Sequence, residues 1–151
     1  MRRRLLAASI WADDALPLVQ ARFRWIFRVF LPIVDALFII FGVCGIVLGS
    51  KVVQDFTLPW YNTFWSSAIG AAALTAVLGL AFKWYWAEII GKLILVVSLA
   101  TYGLLLGLNV AAGAANSALT ITLTAIVVMI PAARIIDLVG EIARGELRDE
   151  A

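Results

Sequence analysis

Three charged side chains stand within or beside long apolar stretches, and through them this sequence could do chemistry inside a membrane. Asp35 lies in the apolar stretch 29–49, and Glu88 and Lys92 lie where the stretch 87–110 begins. An ionised group at such a depth is costly unless it is paired, protonated or hydrated, which makes Asp35 a candidate functional residue. The structural alternative is that Asp35 faces the other helices and pairs with Lys92 or Lys83.

Glu88 and Lys92 are four residues apart, with the acidic residue first. This order favours an ion pair along one face of a helix. A lysine this close to the start of a membrane span can also extend its ammonium group back toward the interface. We therefore expect Glu88 and Lys92 to mark the point where this helix enters the bilayer.

Further catalytic or ligand-binding motifs are absent from the sequence. It contains no histidine, which is the commonest general base and metal ligand, and no phosphate-binding glycine loop, nucleophile elbow or paired cysteines. The single cysteine, Cys44, lies within an apolar stretch and is expected to act as a small buried hydrophobic residue. We expect no enzyme activity, no cofactor and no metal site. A net charge of +2 gives no indication of nucleic-acid binding.

The apolar stretches predict a small protein that crosses a membrane several times. Of the 151 residues, 64% are hydrophobic and 15% are charged, against about 25% charged in soluble domains. The uncharged run 93–133 would be about 62 Å long as one helix, roughly twice the hydrocarbon thickness, so it must fold back near Asn109, Gly113 and Asn116. We predict an all-α bundle of four transmembrane helices, in one domain over residues 1–151, with spans at about 29–49, 64–82, 87–110 and 114–130.

Two amphipathic segments flank these spans. Residues 18–30 place arginines opposite large aromatic side chains, which suits either a helix at the lipid headgroups or the basic flank of the first span. Residues 134–148 follow Pro131, which is expected to end the fourth span. Their apolar arc holds Leu138, and their charged arc, expected to face solvent, includes Arg134 and Glu141.

Small residues and aromatic residues recur at positions that suggest helix packing and interfacial anchoring. In lipid, small side chains let helices approach closely. The candidate packing residues are Gly42, Gly45, Gly49, Ala68, Ala72 and Ala76. In the second span the same small face could instead line a pore. Tryptophan and tyrosine are enriched at membrane interfaces. The candidate anchors are Trp25, Trp60, Tyr61, Trp65, Trp84, Tyr85 and Trp86.

Basic residues are distributed unequally between the two sides of the predicted bundle. With the N-terminus inside, every lysine and arginine except Lys51 falls on the inner side. The positive-inside rule then places both termini in the cytoplasm. We expect an integral protein of a bacterial inner membrane.

Two short patterns and the charged tail resemble a known group of membrane proteins. The patterns are Asp35-x-x-Phe38-x-x-Phe41-Gly42 and Trp86-x-Glu88-x-x-Gly91-Lys92-Leu93. They resemble small four-span membrane proteins of actinobacterial phages, some of which are called holins. The resemblance implies a protein that self-associates and permeabilises the membrane. The chain departs from the shortest holins in having four spans and a structured tail.

Three functions are compatible with these features. The first is a holin-like pore-former, in which small faces drive homo-oligomerisation. The second is a non-catalytic membrane subunit or scaffold that binds a cytoplasmic or membrane protein through its tails. The third is a small ion-coupled transporter that uses Asp35, for which no inverted repeat is evident in the sequence.

Overall fold

The computed structural model describes residues 25–114 and 117–144, and all regular secondary structure in these ranges is helical. Four helices are long and apolar enough to cross a membrane. They are α1 (Leu31–Leu48), α3 (Pro59–Ala81), α4 (Tyr85–Ala111) and α5 (Ser117–Ala143), and the short helix α2 (Lys51–Phe56) lies between α1 and α3. The predicted all-α bundle of four long helices is confirmed.

The four long helices pack as neighbours in chain order. Helix α1 packs on α3, α3 on α4, and α4 on α5, with each helix antiparallel to the one before it. Ile69, Ala73 and Leu95 are fully buried at the centre of the bundle. We call the end of the bundle that holds the turn between α3 and α4 the charged end, because Asp35, Glu88 and their neighbours lie near it.

A π-helical turn, Ile26–Phe30, leads into α1. The Leu31 N–H bonds to the Ile26 carbonyl, five residues back, and the next residue is Pro32, which has no N–H to donate. A π-helical turn is rare, and like proline it is one of the few features that kink a helix. Residues 18–24 of the predicted N-terminal amphipathic segment lie outside the described residues.

The second span begins earlier than the sequence suggested. It was predicted to start near residue 64, but Pro59 opens α3, where its missing N–H has no helical partner to lose. The buried Asn62, in the first turn of α3, joins this helix to the end of α1. Its side chain donates to the Gly45 carbonyl (3.0 Å) and accepts from the Ser50 N–H (3.0 Å). The Ser50 N–H just beyond α1 thereby gains an acceptor, and the Gly45 carbonyl accepts a second hydrogen bond besides the one from the Gly49 N–H (3.2 Å).

Two tight turns complete the bundle. Between α3 and α4, Lys83 adopts a positive φ of 59°, a conformation usually taken by glycine, and the Trp84 N–H bonds to the Gly79 carbonyl (2.7 Å). Between α4 and α5, Gly113 has φ 102°, and the Asn109 side chain donates to the Ser117 hydroxyl (2.9 Å). The predicted turn at Asn109 and Gly113 therefore agrees with the structure, whereas Asn116 lies outside the described residues.

Helix α5 differs most from the prediction. Most of the expected span 114–130 and the first part of the expected separate helix 134–148 form one helix, Ser117–Ala143, with Pro131 inside it. Residues 145–148 of the predicted segment lie outside the described residues. Proline is tolerated within membrane helices when neighbouring groups compensate for the missing bond. The face that α5 turns toward the bundle carries Pro131, Arg134, Leu138 and Glu141, all of them buried. Arg134 and Glu141 therefore do not lie on a solvent-facing arc, and that expectation was wrong.

Candidate functional site

The site is built on one face of the first turns of α4. Glu88 and Lys92 are one helical turn apart, and each is only 1% exposed. The Lys92 ammonium and the Glu88 carboxylate are 4.0 Å apart, which agrees with the predicted i, i+4 pair. Lys92 does not extend back to the interface as expected, because its ammonium group points into the bundle toward α1.

Asp35 supplies the partner of Lys92 from α1. The Lys92 ammonium lies 3.0 Å from Asp35 Oδ1 and 2.9 Å from Oδ2, and Asp35 is 1% exposed. Of the two lysines that the sequence offered, the structure therefore pairs Asp35 with Lys92. Lys83 lies in the turn between α3 and α4, where it is partly exposed. Both carboxylate oxygens of Asp35 accept a charge-assisted hydrogen bond, which offsets the cost of burying this group.

Arg134 joins α5 to the same site from the other side. Its Nε lies 2.9 Å from Glu88 Oε1 and one of its terminal nitrogens, Nη2, lies 3.4 Å from Glu88 Oε2, so the contact is two-pronged. The other terminal nitrogen, Nη1, lies 3.9 Å from Glu141 Oε2, seven residues further along the same face of α5. Arg134 is 5% exposed, so this contact is shielded from water and ions.

Together these residues form one buried ion-pair network across three helices, made of Asp35, Lys92, Glu88, Arg134 and Glu141. Its charges alternate in sign from one residue to the next, so every close pair attracts. In a low-dielectric interior this alternation gives strong, directional contacts that favour one packing of the helices. The arrangement can fix helix positions, and it leaves Asp35 bonded rather than open to a substrate ion.

The sequence prediction included three of the five network residues and missed Arg134 and Glu141. Arg134 and Glu141 were missed because Pro131 was assumed to end the span, so the residues after it were assigned to a separate helix on the surface. A usable signal was present in the spacing. Pro131, Arg134, Leu138 and Glu141 recur at steps of three and four, so they share one face if the helix continues.

The predicted small residues pack helices together within one chain. A side chain at Gly42 would come within 2.7 Å of the Gly70 backbone nitrogen. One at Gly91, which was not among the predicted packing residues, would come within 2.6 Å of the carbonyl of the predicted Ala72. Gly45 lies against Ser66, and Gly49 ends α1 with φ 73°. The three alanines of the predicted stripe on α3 differ in burial. Ala72 and Ala76 are buried, and Ala68 is partly exposed.

The predicted aromatic anchors divide into two groups. Those on the outside of the bundle are Trp25, Trp60, Trp84 and Trp86, which are exposed, and Tyr61 and Tyr85, which are partly exposed. Trp65 was expected at the interface, but it is 4% exposed and lies in the core. Its indole N–H bonds to the Ser98 carbonyl (3.1 Å), and its ring packs against Tyr102. A buried partner for the indole nitrogen explains why Trp65 can lie inside.

Comparison with known proteins gives no relative from which a function could be transferred. No protein-family model, no curated protein and no solved structure matches the chain. Among the residues that the structure describes, no three histidine, cysteine, aspartate or glutamate side chains are placed to hold a metal ion. The buried ion-pair network and the surface that the bundle leaves uncovered are therefore the features that bear on function.

Proposed function

We propose that this chain is a non-catalytic, holin-like membrane protein that self-associates and permeabilises a bacterial inner membrane, with both termini in the cytoplasm. The proposal rests on four membrane-spanning helices in a short chain, on the resemblance noted above, and on one structural observation. That observation is how little of α5 is covered by the rest of the bundle.

Helix α5 is the least covered of the four spans. Only 11% of its most apolar window is buried, compared with 50% for α3 and 39% for α4. Leu119, Ile126 and Met129 point away from the bundle and are exposed by more than half. We call these three residues the outer α5 face. Helices in lipid associate through van der Waals packing, and this face is available for packing against a second copy.

Self-association through the small residues is less well supported. Gly42, Gly45, Gly91 and Ala72 are already in close contact inside one chain. Leucine at Gly45 or Ala72 would therefore disturb the fold of the monomer rather than report on contacts between copies. The outer α5 face avoids this problem because its side chains can be shortened without opening the core.

The test is induced expression in a bacterium, with membrane potential and entry of an impermeant dye recorded together. We expect loss of potential, dye entry, and cross-linked oligomers in isolated membranes. The double variant Ile126→Ala/Met129→Ala should insert normally and lose most of this effect. The matched control Leu93→Ala/Val97→Ala shortens two exposed side chains on α4 and should behave as wild type. If the membrane potential is unchanged and the isolated membranes contain only monomer, the proposal that the chain forms a pore is refuted.

A second candidate is a non-catalytic subunit or scaffold that binds another protein. The observation that favours it is the self-sufficiency of the monomer, since the ion-pair network and the small-residue contacts are completed within one chain. Unchanged membrane potential with stable, monomeric expression would support this candidate. We do not extend the proposal to ion-coupled transport, because both Asp35 oxygens lie within hydrogen-bond distance of Lys92.

A further inference from the structure

Helix α5 is held by the bundle unevenly along its length. We divide it into an outer segment, residues 117–130, and an anchored segment, residues 131–143. The outer segment has one buried residue, Thr124. The anchored segment is about as long and has four buried residues, Pro131, Arg134, Leu138 and Glu141. Pro131 therefore lies at the boundary between a loosely covered part of the helix and a well-covered part.

The anchored segment is held on α4 by charge as well as by packing. The Arg134 side chain contacts the Glu88 carboxylate through Nε (2.9 Å) and Nη2 (3.4 Å). Leu138, one helical turn further along α5, has no exposed surface. A shift of this segment would separate buried charges from their partners, which is strongly destabilising. The anchored segment is therefore fixed in its position on α4.

The outer segment is attached to α4 more weakly. The Thr124 hydroxyl donates to the Thr120 carbonyl of its own helix (2.8 Å), so it does not hold α5 on its neighbour. Among the described residues, one side-chain hydrogen bond joins this segment to α4, from Asn109 to Ser117 at the far end (2.9 Å). The α4 residue next to Thr124 is Gly103, where an added carbon would lie 3.8 Å from the Thr124 methyl group. Mainly apolar contacts therefore keep the outer segment on α4.

Pro131 weakens the helix between the two segments. Proline has no N–H, so the helical hydrogen bond from residue 131 to the Val127 carbonyl cannot form, and the proline ring crowds that carbonyl. Sharp bends in helices occur at proline for this reason. Bending of α5 is therefore easiest at the point where its anchored segment meets its weakly attached segment.

Open space lies on one side of the outer segment. A groove of about 380 Å³ separates this segment from α1, with Leu37 on the α1 wall and Leu123 on the α5 wall. Leu119 lies twelve residues before Pro131. This is about 18 Å along the helix, so a swing of about 20° at Pro131 would carry Leu119 by about 6 Å. A swing toward α1 would bring the two walls of the groove together.

We infer that Pro131 is a hinge at which the outer segment swings toward α1 and closes the groove, while the anchored segment stays on α4. The monomer then has an open form, which the structure describes, and a closed form. The outer segment carries the outer α5 face, so the swing also changes the direction in which that face points. The hinge is independent of membrane permeabilisation, because it concerns distances within one chain.

The test measures the distance between two spin labels by pulsed electron paramagnetic resonance. The full chain carries Cys44→Ser and one pair of introduced cysteines, and it is reconstituted in lipid vesicles with an excess of unlabelled chain. This dilution leaves only distances within one copy. The hinge pair, Val47→Cys/Leu119→Cys, joins α1 to the outer segment. The control pair, Ile33→Cys/Ile136→Cys, joins α1 to the anchored segment. All four side chains are exposed and lie outside the groove lining, so the labels do not fill it.

We expect the hinge pair to give two populations about 6 Å apart, and the control pair to give one narrow population. A single narrow population for the hinge pair would overturn the inference. Equal broadening of both pairs would also overturn it, because α5 would then move as a whole. This comparison needs no change at Pro131.

Two proline variants then locate the hinge. Pro131→Ala allows the missing hydrogen bond to form and should reduce the hinge pair to one population. The matched control Pro59→Ala makes the same change at the start of α3, where no helical hydrogen bond is missing, and should leave both populations. If Pro131→Ala folds and still gives two populations, the bend is not at Pro131 and the inference fails.

Discussion

Single residues of the ion-pair network carry the most easily tested consequences of the structure. Lys92 is buried with its ammonium between Asp35 and Glu88, at 2.9 Å and 4.0 Å. A lysine that could reach the interface would tolerate loss of its partner at little cost. Lys92 is buried and does not reach the interface, so loss of its partner would leave an uncompensated buried charge, which is strongly destabilising.

Asp35→Asn is therefore expected to lower the free energy of unfolding by about 3 kcal/mol, since it removes the closest negative charge from Lys92. The measurement is reversible unfolding in detergent micelles. Asp55→Asn makes the same chemical change at an exposed position on α2 and should be nearly neutral. Equal stability of the two variants would show that Lys92 reaches water in the folded protein.

Part of this network followed from the sequence and part did not. The depth of Asp35 and the basic residues nearby were enough to predict a pair with Lys92 or Lys83. The role of Arg134 was not predictable in the same way, because it depends on whether the chain stays helical through Pro131. A proline in a water-exposed helix costs about 3 kcal/mol, whereas burial of the following turn favours a continuous helix here.

At the scale of helices, close approach at a few glycines decides how the spans pack. Gly91 of α4 lies against the α3 backbone at Ala72 and Ala76. A methyl group placed on Gly107 of the same helix would have no atom of another helix within 4 Å among the described residues. The two glycines therefore offer a matched pair in a single helix.

Gly91→Ala is expected to destabilise the protein by about 1–3 kcal/mol, because the new methyl group pushes α3 and α4 apart. Gly107→Ala should be neutral or slightly stabilising, because it raises helix propensity without a clash. Thermal unfolding of both variants in the same detergent makes the comparison. The packing described for α3 and α4 would be contradicted if the two variants lost equal stability.

Span positions were predictable from the sequence, but the outer limits of the helices were less so. Long uncharged runs locate four spans directly. Pro131 was interpreted as the end of the fourth span, yet it lies within α5, and Pro59 opens α3 ahead of the predicted start near residue 64. Proline removes a helical hydrogen bond within α5 but none at the first position of α3, and the surrounding packing, which a single sequence does not display, determines which of these positions it takes.

The orientation of the whole molecule follows from its basic residues and is a separate prediction. In a protein lacking Cys44, a cysteine at Ala112 should react with an impermeant maleimide in intact cells. A cysteine at Trp84 should react only after the cells are permeabilised. Both positions are exposed at opposite ends of the bundle, so accessibility within the fold does not bias the comparison. The reverse pattern would place both termini outside.

At the scale of the whole molecule, the buried ion-pair network links α5 to α4 through Arg134 and Glu88, and α4 to α1 through Lys92 and Asp35. Helix α5 packs chiefly on α4, and the two-pronged contact from Arg134 to Glu88 lies near the charged end of that interface. A double-mutant cycle isolates the energy of this contact from the energies of the separate side chains.

The most direct measurement is the free energy of unfolding of four proteins: wild type, Glu88→Gln, Arg134→Gln and the double variant. Each single change should cost about 3 kcal/mol because it leaves one buried charge without its closest partner. The double variant should be about as stable as either single variant, giving a coupling energy of about 2–3 kcal/mol. Additive losses would contradict the account, because they would show that Glu88 and Arg134 do not interact within the folded bundle.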